Sequence, residues 1–97
     1  MLDNDVLVAE LRRMANAGQT AMDMVIEIRA STGAQYDNYA ILIVYLRKAF
    51  SGGINEWKSA LGAWRQYGGW LNDNEMDTEL MPIISKYRAD WNSSNDI

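Results

Sequence analysis

The sequence predicts an all-α protein, a compact bundle of about five short helices around a central, largely buried third helix. Apolar residues recur at helical spacing along most of the chain, and glycines separate these stretches from one another. In the middle of the chain, residues 40–46 are apolar or aromatic at seven consecutive positions. A helix that is apolar nearly all round must be covered on at least two sides, so we expect this stretch at the centre of the bundle.

The first predicted helix begins at a capping residue, Asn4 or Asp5, and ends at Gly18. Its apolar residues follow the i, i+4, i+7 spacing of one buried stripe: Leu7, Val8, Leu11 and Met14. The pattern predicts an amphipathic helix with one face in the core.

The second predicted helix begins after Thr20 and ends at Gly33. The Thr20 hydroxyl can accept a hydrogen bond from a backbone amide, and Asp23 lies at the positive end of the helix dipole. The predicted inner side of this short helix comprises Met22, Val25, Ile26 and Arg29.

Gly18 and Gly33 thus divide the first half of the chain into three predicted helices. This layout resembles the ubiquitin-associated type of three-helix module, in which a short glycine loop joins the first two helices. In that family a Met-Gly-Phe/Tyr loop carries ligand binding, whereas the sequence here is Ala17-Gly18-Gln19. The resemblance therefore concerns the helix layout, and the ligand binding of the family is not carried over.

The central helix is predicted over about residues 37–51, with Asp37 or Asn38 as its cap. Arg47 and Lys48 arrive in the last turn, where cations suit the negative end of the helix dipole. Two apolar faces follow from the helical spacing, one of Tyr39, Leu42, Ile43, Leu46 and Phe50, the other of Ile41, Val44 and Tyr45. Because Ile, Val and Tyr also favour strands, a buried strand is the alternative for this stretch.

The fourth helix is predicted to begin at Asn55 and to end at Gly68 and Gly69. Its buried stripe comprises Trp57, Ala60, Leu61 and Trp64. A segment bounded by glycines can pack as a lid or can simply need tight turns at both ends.

The fifth helix is predicted to begin at Asn72 or Asp73, with Glu75 placed to complete a capping box with Asn72. Its apolar residues keep helical spacing for more than four turns: Met76, Leu80, Ile83, Ile84, Tyr87 and Trp91. Pro82 either kinks this helix or divides it in two. Residues 1–91 are expected to form a single helical domain, and residues 92–97 a flexible C-terminal tail.

The composition excludes several classes of function. The net charge is −4 and no run of Lys or Arg exceeds two, so we expect no nucleic-acid binding. The chain has no Cys and no His, which removes thiolate nucleophiles, disulfides and the most common metal ligands. The N-terminal residues lack a signal-peptide pattern, and the apolar runs are shorter than the ~20 residues that span a bilayer. A cytoplasmic protein without membrane binding is the expectation.

The carboxylates form no recognisable chemical site. Acidic residues alternate at Asp73, Glu75, Asp77 and Glu79, but the glycine and the bidentate Glu that an EF-hand requires are missing. Asp23 and Glu27 are one helical turn apart, yet no nucleophile has a spacing that pairs it with an activating base. We therefore expect no enzyme, no cofactor and no metal site.

Tryptophan is the unusual feature of the composition, with four residues in 97. Trp57 and Trp64 lie on a helical stripe and are expected in the core. Trp70 lies outside any periodic pattern, and we expect it to be an exposed partner-binding residue. The other predicted partner-binding residues are Arg65, Tyr67, Asp73 and Glu75. The alternative is that Trp70 closes one end of the bundle.

These observations favour a small acidic interaction module that binds another protein without catalysing a reaction. Immunity proteins, inhibitors of defence systems and adaptors of bacteria or phages have this character. A helical homo-oligomer, such as a homodimer that covers the central helix, is the alternative. A carboxylate-based enzyme or metal-binding protein is the weaker alternative.

Overall fold

The computed structural model describes residues 4–33 and 39–93 of the chain. In these residues the protein forms six α-helices and one short 3-10 helix. The α-helices are α1 (Asn4–Asn16), α2 (Ala21–Thr32), α3 (Tyr39–Phe50), α4 (Ile54–Gly62), α5 (Asp73–Lys86) and α6 (Arg88–Ser93), and the 3-10 helix is Arg65–Tyr67. The all-α prediction is confirmed, and the strand alternative for residues 40–46 is wrong because that stretch lies inside α3.

Helix α3 occupies the centre of the bundle, as predicted, and packs against α1, α2, α4 and α6. Its buried residues are Leu42, Leu46, Ala49 and Phe50. The second predicted face is covered less completely, because Val44 is 46% exposed and Ile41 and Tyr45 are half-buried. The predicted caps Asp37 and Asn38 lie outside the described residues.

The core joins the last helix to the central helix. The rings of Phe50 on α3 and Trp91 on α6 meet edge to face, with their centroids 5.1 Å apart. The Trp91 indole N–H donates to the Ile84 carbonyl oxygen at 3.0 Å, so the polar atom of this buried side chain is satisfied. In the described part of the chain, the core contains no buried polar or charged residue.

Helix α2 has the predicted ends, and two of its four predicted inner residues, Met22 and Val25, are buried. Thr20 and Asp23 form the capping box, and Gly33 closes the helix in the left-handed conformation. Ile26, which was expected inside, is 60% exposed. The buried residues are Ala21, Met22, Met24, Val25 and Ile28. A helix with so many apolar residues offers two possible stripes, and its packing against α1, α3 and α5 selects one of them.

Helix α4 begins earlier and ends earlier than predicted. Gly53, not Asn55, is the N-cap, and its N–H donates to the Glu56 carboxylate at 3.2 Å. The preceding turn is tight: Gly52 has a φ of +90°, and a Cβ there would lie 2.7 Å from the Trp57 indole nitrogen. That nitrogen donates to the Ser51 carbonyl oxygen at 2.7 Å, which fixes the turn and the helix start together. The helix ends at Gly62 instead of Gly68.

Helix α5 begins with the predicted capping box between Asn72 and Glu75. The helix continues through Pro82 to Lys86, so it is not divided at the proline. Pro82 deprives the Thr78 carbonyl of its helical partner, but both residues are exposed and water can take that place. The division comes at Tyr87, after which α6 runs to Ser93, two residues into the predicted tail. Residues 94–97 lie outside the described part.

Candidate interaction surface around Trp70

Trp70 is the most exposed large apolar residue in the described part of the chain, with 88% of its surface accessible. The other three tryptophans, Trp57, Trp64 and Trp91, are buried. Burying an aromatic side chain typically stabilises a fold by about 2–3 kcal/mol, and folding gains none of that from Trp70. The exposure therefore calls for an explanation other than the stability of this chain.

Trp70 lies on a loop that backbone hydrogen bonds close. We call residues 64–71 the Trp70 loop. The Arg65 N–H donates to the Leu71 carbonyl at 2.8 Å, and the Leu71 N–H donates to the Ala63 carbonyl at 2.9 Å. Across the loop, the Gly69 N–H donates to the Trp64 carbonyl at 2.9 Å. These bonds form a short parallel bridge between Trp64 and Leu71, so the two ends of the loop are held side by side.

Gly69 allows the loop to close because its backbone lies directly against Ala63. A Cβ added at Gly69 would lie 2.2 Å from both the carbonyl carbon and the carbonyl oxygen of Ala63. Real side chains never approach a backbone so closely, so only glycine fits here without movement. The residue that precedes Trp70 is thus fixed by steric contact as well as by hydrogen bonds.

Trp64 is the first residue of the loop and connects it to two helices. Its indole N–H donates to the Asp73 carboxylate at 2.8 Å, at the start of α5. The Arg29 guanidinium, from α2, lies 4.7 Å from the centre of the Trp64 ring and donates to the Tyr67 hydroxyl at 3.1 Å. Tyr67 in turn packs edge to face on Trp64, at 5.2 Å between centroids. A cation–π contact and two hydrogen bonds therefore fix the loop to α2 and α5, and the pair of Trp64 and Tyr67 joins two residues within the loop.

An open groove lies beside the loop. Its lining consists of Trp64, Arg65, Gln66, Asn72, Asp73 and Asn74. The side chains supply a guanidinium, a carboxylate and several amides, which together can donate and accept hydrogen bonds. Such groups suit the polar rim of an interface, around an aromatic residue that excludes water.

The structure distributes the five predicted partner-binding residues over this region. Arg65 and Asp73 line the same groove, and Trp70 is exposed on the loop above Trp64. Tyr67, which belongs to the loop, is half-buried, and its hydroxyl and ring contact Arg29 and Trp64. Glu75 is exposed, and its carboxylate accepts from the Asn72 N–H at 2.9 Å in the capping box.

As site residues, sequence reasoning missed the three amides Gln66, Asn72 and Asn74 and also Arg29. The three amides lie within four residues of Trp70, so a polar neighbourhood around an unpatterned tryptophan was a signal that could have identified them. No such signal existed for Arg29, which is 38 residues from Tyr67 in the chain and reaches it only through the packing of α2.

A second polar cluster joins α4 to the end of α5. The Glu56 carboxylate accepts from the Tyr87 hydroxyl at 2.6 Å and from the Lys86 ammonium at 3.0 Å. These two hydrogen bonds, with a third from the Gly53 N–H, lower the pKa of Glu56 to about 2. The hydrogen bond to the Glu56 carboxylate is also the main cause that raises the pKa of Tyr87. The cluster lies at the joint between helices, and we interpret it as structural.

Two kinds of feature are absent from the described residues. No three acidic side chains there come together in a group that could hold a metal ion. None of the described helices is both long enough and apolar enough to cross a membrane. Comparison with protein-family models, with curated proteins and with solved structures gave no match for this chain.

Replacing Gly69 by Ala should open the Trp70 loop, because the new methyl group has no space beside Ala63. We expect a loss of about 2 kcal/mol in the free energy of unfolding, typical of an overpacked site. Denaturant unfolding measures it. Gly62→Ala is the matched control, since a Cβ at Gly62 meets nothing within 4 Å. Equal stability of both variants would contradict the close contact.

The Glu56 cluster predicts a pH dependence of stability. Because the pKa of Glu56 is about 2 in the folded protein, below its usual 4.5, the carboxylate stabilises the fold above pH 4.5. This contribution is lost as the pH falls from 4.5 towards about 2. Glu56→Gln should therefore be less stable than wild type at about pH 7, and the difference should shrink in acid.

Denaturant unfolding over this pH range measures the effect. Glu79→Gln removes the same charge at a side chain for which the structure records no hydrogen bond to a described residue, and so serves as the control. A difference between Glu56→Gln and wild type that stays constant with pH would contradict the assignment.

Proposed function

We propose that this protein is a protein–protein interaction module that binds its partner through the surface around Trp70. The observation that carries the proposal is an indole that is 88% exposed on a loop with a fixed backbone. Tryptophan is among the residues that contribute most to binding energy at interfaces. A loop that is already ordered loses little conformational entropy on binding, which makes its contacts more effective.

The composition supports binding as the main activity of the protein. The chain has no cysteine and no histidine, so the commonest nucleophile and base pairs are not available to it. Its net charge of −4 fits an acidic binding protein. We therefore propose an immunity-, inhibitor- or adaptor-like module of bacterial or phage origin that acts in the cytoplasm on another protein.

A homo-oligomer is the second candidate, and a different surface supports it. Val44 on the central helix α3 is 46% exposed and has half-buried neighbours in Ile41 and Tyr45. A two-fold interface through the exposed side of α3 would cover these three apolar residues.

Replacing Trp70 by Ala should remove binding to the partner and leave the fold intact, because the side chain is outside the core. With the protein immobilised and exposed to a lysate of its native host, we expect partner recovery to fall roughly tenfold or more. Val44→Ala is the matched control, since it truncates another exposed apolar residue, and it should retain the partner. Far-UV circular dichroism verifies that both variants are folded.

Two results would change the interpretation. If Trp70→Ala recovers as much partner as wild type, the Trp70 surface is not the binding site. If light scattering finds a dimer at micromolar concentration that Val44→Ala dissociates and Trp70→Ala does not, the homo-oligomer is the better account.

A further inference from the structure

The charges near Trp70 are strongly unbalanced. Between residues 64 and 80 the chain carries a single cation, Arg65. The same stretch carries four carboxylates, Asp73, Glu75, Asp77 and Glu79. Glu75 and Glu79 are one turn apart on α5 and are both exposed, so their side chains share one face of the helix. The polypeptide that follows Trp70 therefore presents a negative surface.

No ion pair within the described residues involves these four carboxylates. The ion pairs recorded there join Arg13 to Glu10 and Lys86 to Glu56. Asp73, Glu75 and Asp77 do accept hydrogen bonds, but only from neutral donors: the Trp64 indole and the backbone N–H groups of Asn72 and Met22. A hydrogen bond from a neutral donor holds a carboxylate in place and leaves its full charge to act on a partner.

Arg29 and Arg65 lie at the Trp70 loop, whereas the basic side chains of α1, α3 and α4 lie elsewhere. Arg12 of α1 donates to the Ala49 carbonyl, and Arg47 donates to the Gly52 carbonyl. The guanidinium groups of both therefore lie at the C-terminal end of α3. Lys48 and Lys58 are exposed in the same part of the sequence, on α3 and α4. Four carboxylates follow Trp70 in the chain before the next cation, Lys86.

We propose that the Trp70 surface binds a cationic partner, a segment of protein rich in Lys or Arg. One cation of the partner lies on the exposed face of the Trp70 indole, and its neighbours pair with Glu75 and Glu79. This inference rests on the proposed function, because it names the chemistry of the partner for the same surface.

Cation–π contacts already occur in the described part of this protein, and two of them are made by arginines on tryptophan rings. The Arg29 guanidinium lies 4.7 Å from the Trp64 ring centre, and the Arg88 guanidinium lies 4.8 Å from the Trp91 ring centre. The Trp70 ring offers the same quadrupole to an external cation, and nearby carboxylates strengthen the attraction. Complementary charge of this kind mainly accelerates association and selects the partner, while the aromatic contact contributes to affinity.

An octalysine peptide is the probe, with octaglutamate and a Gly-Ser octapeptide as controls. The readout is the NMR signal of the Trp70 indole N–H in the full chain, identified by its loss in Trp70→Phe. Octalysine should move this signal in a saturable way that weakens with added salt, and the two control peptides should leave it in place.

Two double variants separate a local effect from one of net charge. Glu75→Gln with Glu79→Gln removes two of the carboxylates on the part of α5 that follows Trp70, and the capping box survives because Gln can replace Glu in it. Glu27→Gln with Asp90→Asn removes two charges on α2 and α6. Both change the net charge from −4 to −2. The first pair should weaken octalysine binding about threefold or more, and the second should have little effect.

The proposal is overturned if octalysine leaves the Trp70 signal unmoved, if a control peptide moves it as much, or if the two double variants weaken binding equally. These results are distinguishable from failure of the proposed function. Loss of the host partner in Trp70→Ala, together with a Trp70 signal that octalysine does not move, would retain the binding surface and reject only the cationic partner.

Discussion

The need to cover helix α3 determines the arrangement of the other elements. Its buried residues, among them Leu46 and Phe50, require apolar neighbours on several sides, and α1, α2, α4 and α6 supply them. Once α4 is packed on α3, the chain must turn sharply after Gly62 to bring α5 back against α2 and α4. The Trp70 loop is that turn. The packing of α4 and α5 in the core determines where this loop lies, but it does not require that Trp70 be exposed.

Three of the four tryptophans are buried and one is exposed. Each buried indole N–H has an acceptor: the Ser51 carbonyl for Trp57, the Asp73 carboxylate for Trp64 and the Ile84 carbonyl for Trp91. Burial with a satisfied polar atom makes these residues stabilising. For Trp70 the structure records no acceptor within the described residues, and the side chain remains in water. Three tryptophans are buried in this fold and Trp70 is not, so its exposure does not serve the core. We therefore assign Trp70 to binding.

Local patterns predicted the local structure. The capping boxes at Thr20 and Asn72 depend on side chains three residues apart, and the stripe of Leu7, Leu11 and Met14 depends on one helix.

Sequence reasoning failed where a contact between residues far apart in the chain determines the local structure. The register of α2, which leaves Ile26 exposed, is set by three neighbouring helices, and the start of α4 is set by the Trp57 indole on the preceding turn. The spacing of Trp64 fitted a helical stripe, although the helix ends before it. Closure of the Trp70 loop depends on contacts between Gly69 and Ala63 that no periodicity reveals.

Hydrogen exchange of the four indole N–H groups tests the central claim most directly, because each group gives its own NMR signal. The account predicts that the groups of Trp57, Trp64 and Trp91 exchange slowly, since each is buried and hydrogen-bonded. The Trp70 group should exchange at close to the rate of a free indole in water. A Trp70 indole as protected as the other three would mean that it packs on the bundle, and would contradict its assignment as an exposed binding residue.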